Sequence, residues 1–341
     1  SRGCCTIEDS LDARRAAGLL GIPFYVWDFS EQFTEAVVDD FIAEYSAGRT
    51  PNPCMRCNER IKFAALLDRA IELGFDAVAT GHYANVEWAA DGSPELHRAS
   101  AWAKDQSYVL GVLTTEQLRH AMFPLGDTPS KDLVRAEAER RGLSVANKPD
   151  SHDICFIPDG DTREWLAERI PMEPGDIVDT SGTVIGQHDG ALSYTVGQRK
   201  GLNLGVPAAD GRPRFVVTVK QSTNQVVVGS REDLAVKEIA GARFSWAGND
   251  PVTSGFATST DDGFTAFDCE VQIRAHADPV PALVDSIGGE IVVRPVEPLI
   301  GVATGQTAVI YVGTRVLGQF TIDRTRHLFD QWDEESFEVV R

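Results

Sequence analysis

The feature that most constrains this chain is a change of hydrophobic period near residue 160. Helical stripes and short apolar runs precede it, and two-residue alternation broken by Gly and Asp turns follows it. Leu11, Ala16, Leu19 and Leu20 form a stripe that begins at a capping-box-like Thr6 and Asp9 and stops at Gly21; residues 22–27 then read as a buried strand. The pattern repeats. Phe33, Val37, Phe41 and Tyr45 share a helical face closed by Gly48, residues 61–71 make a helix ended by Gly74, and 75–80 make the next strand. Such alternation predicts a parallel α/β sheet with helical crossovers.

Asp91-Gly92 predicts a small hairpin between 84–88 and 95–98, and Thr128-Pro129 opens a helix running to Gly142. Beyond 160–165 the expected strands are 178–185 about Ser181-Gly182, and 215–219 with 225–228 about residues 222–224. A Gly/Asn/Asp/Pro-rich stretch, 241–255, separates them from strands at 270–275, 290–294, 307–312 and 316–322, which imply a second β module of barrel or sandwich type. The boundaries expected from these shifts are 1–162, 163–235 and 236–341.

With 341 residues and 43% hydrophobic content, two or three cores can be buried. No stretch approaches the roughly 18 apolar residues of a membrane span, and the start has neither the basic nor the apolar region of a signal peptide, so no membrane partner and a cytoplasmic address are expected. The six cysteines are not spread as a secreted disulfide framework, which leaves thiol chemistry or metal binding. A net charge of −19 opposes nucleic-acid binding unless a local basic surface exists. The first residue is Ser1 rather than Met, so further sequence is expected before it, with a tag remnant or a processed start as the other readings.

The loop from Gly48 to Asn58 holds Cys54 and Cys57, and its two prolines place Cys57 just before the next helix. A thiol there meets the positive end of a helix dipole, with Arg49 and Arg56 close in sequence, and both effects favour thiolate. A second cluster, 148–157, crowds polar groups at the expected start of a strand carrying Cys155. Two thiols from distant segments suit exchange chemistry, one bearing a labile sulfur as a persulfide and the other releasing it by disulfide formation. A metal reading competes: Cys54, Cys57, His152 and Cys155 have zinc-like local spacings, and the three cysteines fit an Fe-S cluster equally. An inert loop is the third possibility.

Thr80-Gly81-His82-Tyr83 ends an expected parallel strand, at the sheet edge where open α/β folds bind ligands, and Gly81 lets a nucleotide approach the backbone. Lys104, Asp105 and Gln106 precede a helix and suit phosphates or a base edge, or simply a cap. Between 195 and 220 five bases (Arg199, Lys200, Arg212, Arg214, Lys220) face one acid, Asp210, in a chain where acids outnumber bases 51 to 32. That is the local basic surface RNA requires, and Arg274, His276 and Gln306 extend it. Cys4 and Cys5 are read as structural and Cys269 as a core residue.

The stretches GRTPNPCMRCNERIKF, ATGHYA, KDQSYVL, KPDSHDICFIP, YTVGQRKGL and TGQTAVIY resemble, in order and across essentially the whole chain, the bacterial tRNA-specific 2-thiouridylase family. The resemblance implies an α/β PP-loop ATP pyrophosphatase-like (adenine nucleotide alpha hydrolase-like) parallel-sheet domain followed by two smaller β domains. It implies tRNA as substrate, activation of the wobble uridine 2-oxygen by ATP and Mg2+, and displacement by sulfur from a persulfide that a donor protein supplies. Cys155 matches the persulfide-bearing cysteine and Cys57 the second catalytic cysteine, its transient disulfide partner. Asn52, Pro53 and Cys54 match the stretch that meets the target base. Family members often carry Asp where this chain has Cys54, which weakens a general acid/base role there and strengthens cluster ligation.

Gly81 matches an ATP-binding position. His82, Lys104, Asp105, Gln106, Arg274 and Gln306 match tRNA-contacting positions, and the loop with Arg199 and Lys200 resembles the family's. The family's SGGxDS loop, which cradles ATP phosphates, does not occur in this text, so the chain as written is expected to bind ATP poorly. Two other readings are carried forward: an RNA-binding protein with a structural zinc or Fe-S site, and a related PP-loop tRNA 2-thiocytidine synthetase.

Overall fold

The computed structural model describes residues 7–148, 154–157, 160–202, 204 and 211–328. Helix α1 (Ile7–Leu20) is followed by two long helices. The first, α2 (30–46), runs through Ser30–Phe33, a π-helical Thr34–Asp39 and Asp40–Ser46; the second, α3 (53–72), runs through Pro53–Cys57, a π-helical Asn58–Ala65 and Leu66–Glu72. A wide π turn inserts residues without ending the helix, and in α3 it coincides with a kink at Phe63, whose φ and ψ are −111° and 15°.

The parallel sheet among the described residues is small. Strand β1 (Val78–Ala79) pairs in parallel with a short strand at Ala121–Met122. The strand expected at 22–27 does not form: the segment pairs with no strand among the described residues, and Ile22, Tyr25 and Val26 are exposed. An apolar run becomes a strand only when a neighbour takes its N–H and C=O groups, and Pro23 removes one donor outright.

The expected hairpin forms as β2 (Ala84–Trp88) and β3 (Pro94–Arg98), but it does not stay with the α/β part. Counting Ala121–Met122 as β4, the central module is a four-stranded sheet of β5 (Gly175–Asp179), β6 (Val184–His188), β7 (Phe215–Lys220) and β8 (Gln225–Gly229). Within it Ile177, Val216, Val226 and Val228 are fully buried.

The last part contributes β9 (Ala235–Gly241), β10 (Phe244–Trp246), β11 (Ser259–Thr260), β12 (Gly263–Gln272), β13 (Val280–Ile287), β14 (Glu290–Pro295), β15 (Leu299–Ile300), β16 (Thr307–Val312), β17 (Arg315–Thr321) and β18 (Arg324–His327). Strand β13 was not anticipated, and the stretch read as a separator holds β10. The β2–β3 hairpin adds to this sheet, with His97 opposite Arg315 and Leu96 opposite Val316 on β17.

That pairing fuses the first and last parts of the chain through one apolar core. Met55, Phe63, Ala84, Leu96 and Tyr108 pack with Val309, Tyr311 and Val316, all buried. Positions 94, 96 and 98 of β3 alternate inward, so Arg98 enters the same interior, 5% exposed. Its guanidinium lies 2.8 Å from Asp105 and 3.0 Å from Gln272, and stacks 3.6 Å over the Tyr311 ring. An inward charge is tolerated only when paired and hydrogen-bonded; Asp105 supplies the pair from the same part of the chain, while Gln272 and Tyr311 meet the guanidinium across the seam.

Candidate active site

Asn52 caps α3: its side-chain oxygen accepts from the backbone N–H groups of Cys54 (3.2 Å) and Met55 (3.3 Å). Pro53 at the first helical position is preset for the turn. The helix therefore starts earlier than expected, and Cys57 lies inside it rather than before it. Cys54 is exposed, Cys57 half-buried, and Met55 between them is sunk in the seam core.

The two arginines expected to sharpen the thiols are engaged elsewhere. Arg56 contacts Glu59 (2.7 Å) and Asp40 (3.5 Å). Arg49 contacts Glu44 and Asp323, each at 2.7 Å. Burial alone would push the Glu44 carboxyl up, but Arg49 and Arg243 together hold it below its ordinary value. These ion pairs position the loop rather than charge the site.

The loop before Asn52 is clamped to the barrel. Thr50 N–H donates to Thr304 O at 2.8 Å, and Gly305, at φ +86°, sits so close that a Cβ would lie 2.7 Å from Thr50 N. Only glycine tolerates both the positive φ and the approach. Gln306 holds this turn through its side-chain oxygen, which accepts from Ala303 N–H at 2.9 Å.

Cys155 lies half-buried in a turn, not at the start of a strand; Ile157 N–H closes it onto Ile154 O at 3.0 Å. Phe156 anchors the turn against α2, its ring 6.1 Å from Phe33, 5.3 Å from Phe41 and 5.3 Å from Trp165. A residue fixed by an aromatic cluster needs no ladder, which is why the apolar run 154–157 misled the strand assignment. The cysteine-bearing start of α3 rests on the same helix α2 through Arg56 and Asp40. His152 lies outside the described residues, as do Cys4 and Cys5.

Gly81 is exposed, and a side chain there would meet only Leu125, at 3.9 Å, so the space above it is open. His82 is held between the rings of Phe63 and Phe123, with Nδ1 2.7 Å from Thr80 Oγ1. Burial first, then the charge of Lys62, lowers its imidazole to about 4, so it is neutral near pH 7. Gln106 accepts from Tyr83 N–H at 3.0 Å and joins the two segments. Asp105 turns inward to Arg98, Ser107 and the N–H of Ala99, an organising role that sequence alone did not separate from ligand contact. Arg98 itself was missed, although the alternation of Pro94, Leu96 and Arg98 marks it as an inward charge.

In the central module the turn with Arg199 and Lys200 is closed by Gly197 N–H to Val216 O (2.8 Å) and by the Gln198 side chain to Lys200 O (3.0 Å), leaving both cations exposed. Val196 and Gly197 line a cleft of about 280 Å³ with Phe215, Arg231, Arg274 and Gly301. Arg274 donates to Gly301 O, and Gly301 leads into the 303–306 turn against Thr50. The nominated residues thus form a connected band from 194–202 through Arg274 and 303–306 to 50–57, while 81–83 and 104–106 form a neighbouring pair. Cys269 lies outside the band in the barrel core, and burial pushes its thiol up to about 12.

Curated relatives match this arrangement along its length. A tRNA-specific 2-thiouridylase MnmA of Leifsonia xyli is 70% identical over 95% of this chain and 86% of its own length, and that of Clavibacter sepedonicus is 68% identical over 95% and 81%. The chain belongs to the tRNA-specific 2-thiouridylase family. A third relative of the same name, from an Arthrobacter strain, is 66% identical over 96% of this chain. Family profiles described as a tRNA methyl transferase HUP domain, a tRNA methyl transferase PRC-barrel domain and an aminomethyltransferase beta-barrel domain match residues 1–159, 163–230 and 236–322. The fold class is accordingly a HUP, PP-loop-like α/β domain followed by two β domains, as the thiouridylase resemblance implied.

Among the described residues no three His, Cys, Asp or Glu side chains converge as a metal or cluster requires, and Cys54, Cys57 and Cys155 are all described. The described residues thus offer no Fe-S or zinc ligand set, and His152 lies outside them. No helix among them is long and apolar enough to cross a membrane.

Proposed function

We propose that this chain is a tRNA-uridine 2-sulfurtransferase that installs sulfur at the 2-position of the wobble uridine at the expense of ATP. The observation that carries the reading is the convergence of two thiol-bearing segments, 53–57 and 154–157, on one helix, α2. Family membership at this identity favours uridine over the cytidine-directed reading, and the lack of a converging ligand set among the described residues disfavours the structural-metal one.

In this reading the uridine 2-oxygen attacks the ATP α-phosphorus and pyrophosphate leaves, with Mg2+ balancing the phosphate charge. The terminal sulfur of a Cys155 persulfide, delivered by a donor protein, attacks C2. Cys57 thiolate then attacks the Cys155 sulfur, the S–S bond breaks, and AMP departs. Asn52, Pro53 and Cys54 meet the base, and Gly81 leaves room for the nucleotide. His82, Lys104, Gln106, Arg199, Lys200, Arg274 and Gln306 face the tRNA, with Asp105 positioning its segment. Residues 1–162 carry the chemistry, 163–235 bind tRNA, and 236–341 clamp the cysteine loop.

The test is nucleoside analysis of tRNA incubated with ATP, Mg2+, a persulfide donor and protein expressed from its complete reading frame. The expected product is 2-thiouridine, lost by at least about 1000-fold in Cys155→Ser. Sulfur on cytidine, or full activity in that variant, contradicts the reading.

A further inference from the structure

We propose that Cys54 is a third redox residue, which takes over the disulfide left on Cys57 and so returns Cys155 to the thiol state. The inference rests on the sulfur relay proposed above and adds a step that the relay leaves open: how a half-buried disulfide is cleared between turnovers.

Cys54 and Cys57 are three residues apart on a helix whose start is fixed by the Asn52 cap and Pro53. Helical rise and radius put such Cα atoms about 5 Å apart. That lies inside the roughly 4.4–6.8 Å window of a disulfide, so the bond needs no unfolding of the turn. The two residues between them are immobilised from opposite sides. Met55 is 2% exposed in the seam core, and Arg56 is held by Glu59 and Asp40. The pair therefore rides on one face of a rigid turn, with Cys54 more exposed than Cys57.

Exposure gives the step its direction. Cys54 is exposed, whereas Cys57 and Cys155 are half-buried, and Phe156 next to Cys155 is packed against Phe41. Thiol exchange requires the attacking sulfur to reach the bond, so a macromolecular reductant has its best access at Cys54. Cys54 thiolate attacks the Cys57 sulfur of the Cys57–Cys155 disulfide. The Cys54–Cys57 bond forms, Cys155 leaves as thiolate, and no net oxidation occurs. An external protein dithiol then reduces Cys54–Cys57, supplying two electrons and two protons and becoming a disulfide itself.

The experiment runs one round of sulfur transfer without reductant, quenches in acid at intervals, alkylates, and maps disulfide-linked peptides. In the unaltered protein Cys57–Cys155 is expected first and Cys54–Cys57 as the lasting species; this needs no variant. Reduction by a small protein dithiol is expected to be at least about tenfold slower in Cys54→Ser, where the only bond left is Cys57–Cys155. If Cys57–Cys155 persists in the unaltered protein and both proteins are reduced within twofold of each other, the inference falls while the relay stands. If 2-thiouridine forms with neither disulfide, relay and inference fall together. Stoichiometric iron in anaerobically purified protein, with all three thiols shielded from alkylation, overturns the inference in favour of a cluster.

Discussion

The stretch carrying Cys57 and the stretch carrying Cys155 are held in opposite ways. The first is braced along its length: an Asn52 cap, Met55 in the seam core, Arg49 paired to Asp323 on the barrel, and Thr50 bonded to Thr304. The second is held by apolar packing: Ile157 is buried in a cluster with Phe41 and Leu166, and Phe156 packs against α2 and Trp165. A group that must meet a bound base at a fixed distance gains from bracing, because about 1 Å of misplacement can cost on the order of 100-fold in rate. A sulfur carrier has two partners to face, the donor and the target, and apolar packing, which is non-directional, suits that duty. The contrast assigns directional polar bracing to the acceptor side and non-directional apolar packing to the carrier side.

The most damaging way to disturb the contrast is to weaken the seam core in which Met55 is buried. Arg98→Met leaves Asp105 buried without its cation, which costs about 3–5 kcal/mol for a buried pair. Urea unfolding is expected to show that loss, with the 104–106 segment and the seam loosening together. A loss under about 1 kcal/mol would mean that the seam does not depend on the pair.

Two substitutions with smaller expected effects sharpen the comparison by their different readouts. Phe156→Ala is expected to slow persulfide loading of Cys155, measured by mass, and to leave the tRNA dissociation constant nearly unchanged. Arg49→Ala frees the loop before Asn52 from Glu44 and Asp323, and is expected to raise KM for tRNA while loading proceeds normally. Identical effects of the two on both readouts would erase the distinction.

The smallest effect is a pH dependence. The fold disfavours the charged form of His82, so the unfolded chain takes up the proton first. Its contribution is whole above about 6.5 and is lost as pH falls towards about 4. Partial exposure reduces the loss to about 1–2 kcal/mol, and His82→Gln should remove it. Stability curves of the two proteins that stay parallel between pH 7 and 4.5 would contradict this.

Much of the barrel was legible because a half-buried strand writes its period into the chain: 307–312 and 290–294 emerged nearly as read. The thiol residues were legible as residue types in suggestive spacing, not as geometry. Residues 22–27 were misread because strand formation depends on a partner that local pattern does not encode. The hairpin 84–98 was read correctly as a hairpin, yet its docking on β17 depends on contacts over 200 residues away. For the same reason Arg49 and Arg56 looked like activators of a thiolate. Only the fold reveals that Asp323, Glu44, Asp40 and Glu59 already claim them.

The central claim is that sulfur reaches the uridine through Cys155 and is released onto it by Cys57. It is tested most directly by loading Cys155 with a ³⁴S-labelled outer sulfur, removing the donor, and allowing a single turnover. The account predicts one ³⁴S in each 2-thiouridine formed and a Cys57-containing disulfide in equal amount. Unlabelled sulfur in the product, or labelled product in undiminished yield from Cys57→Ser, would contradict it.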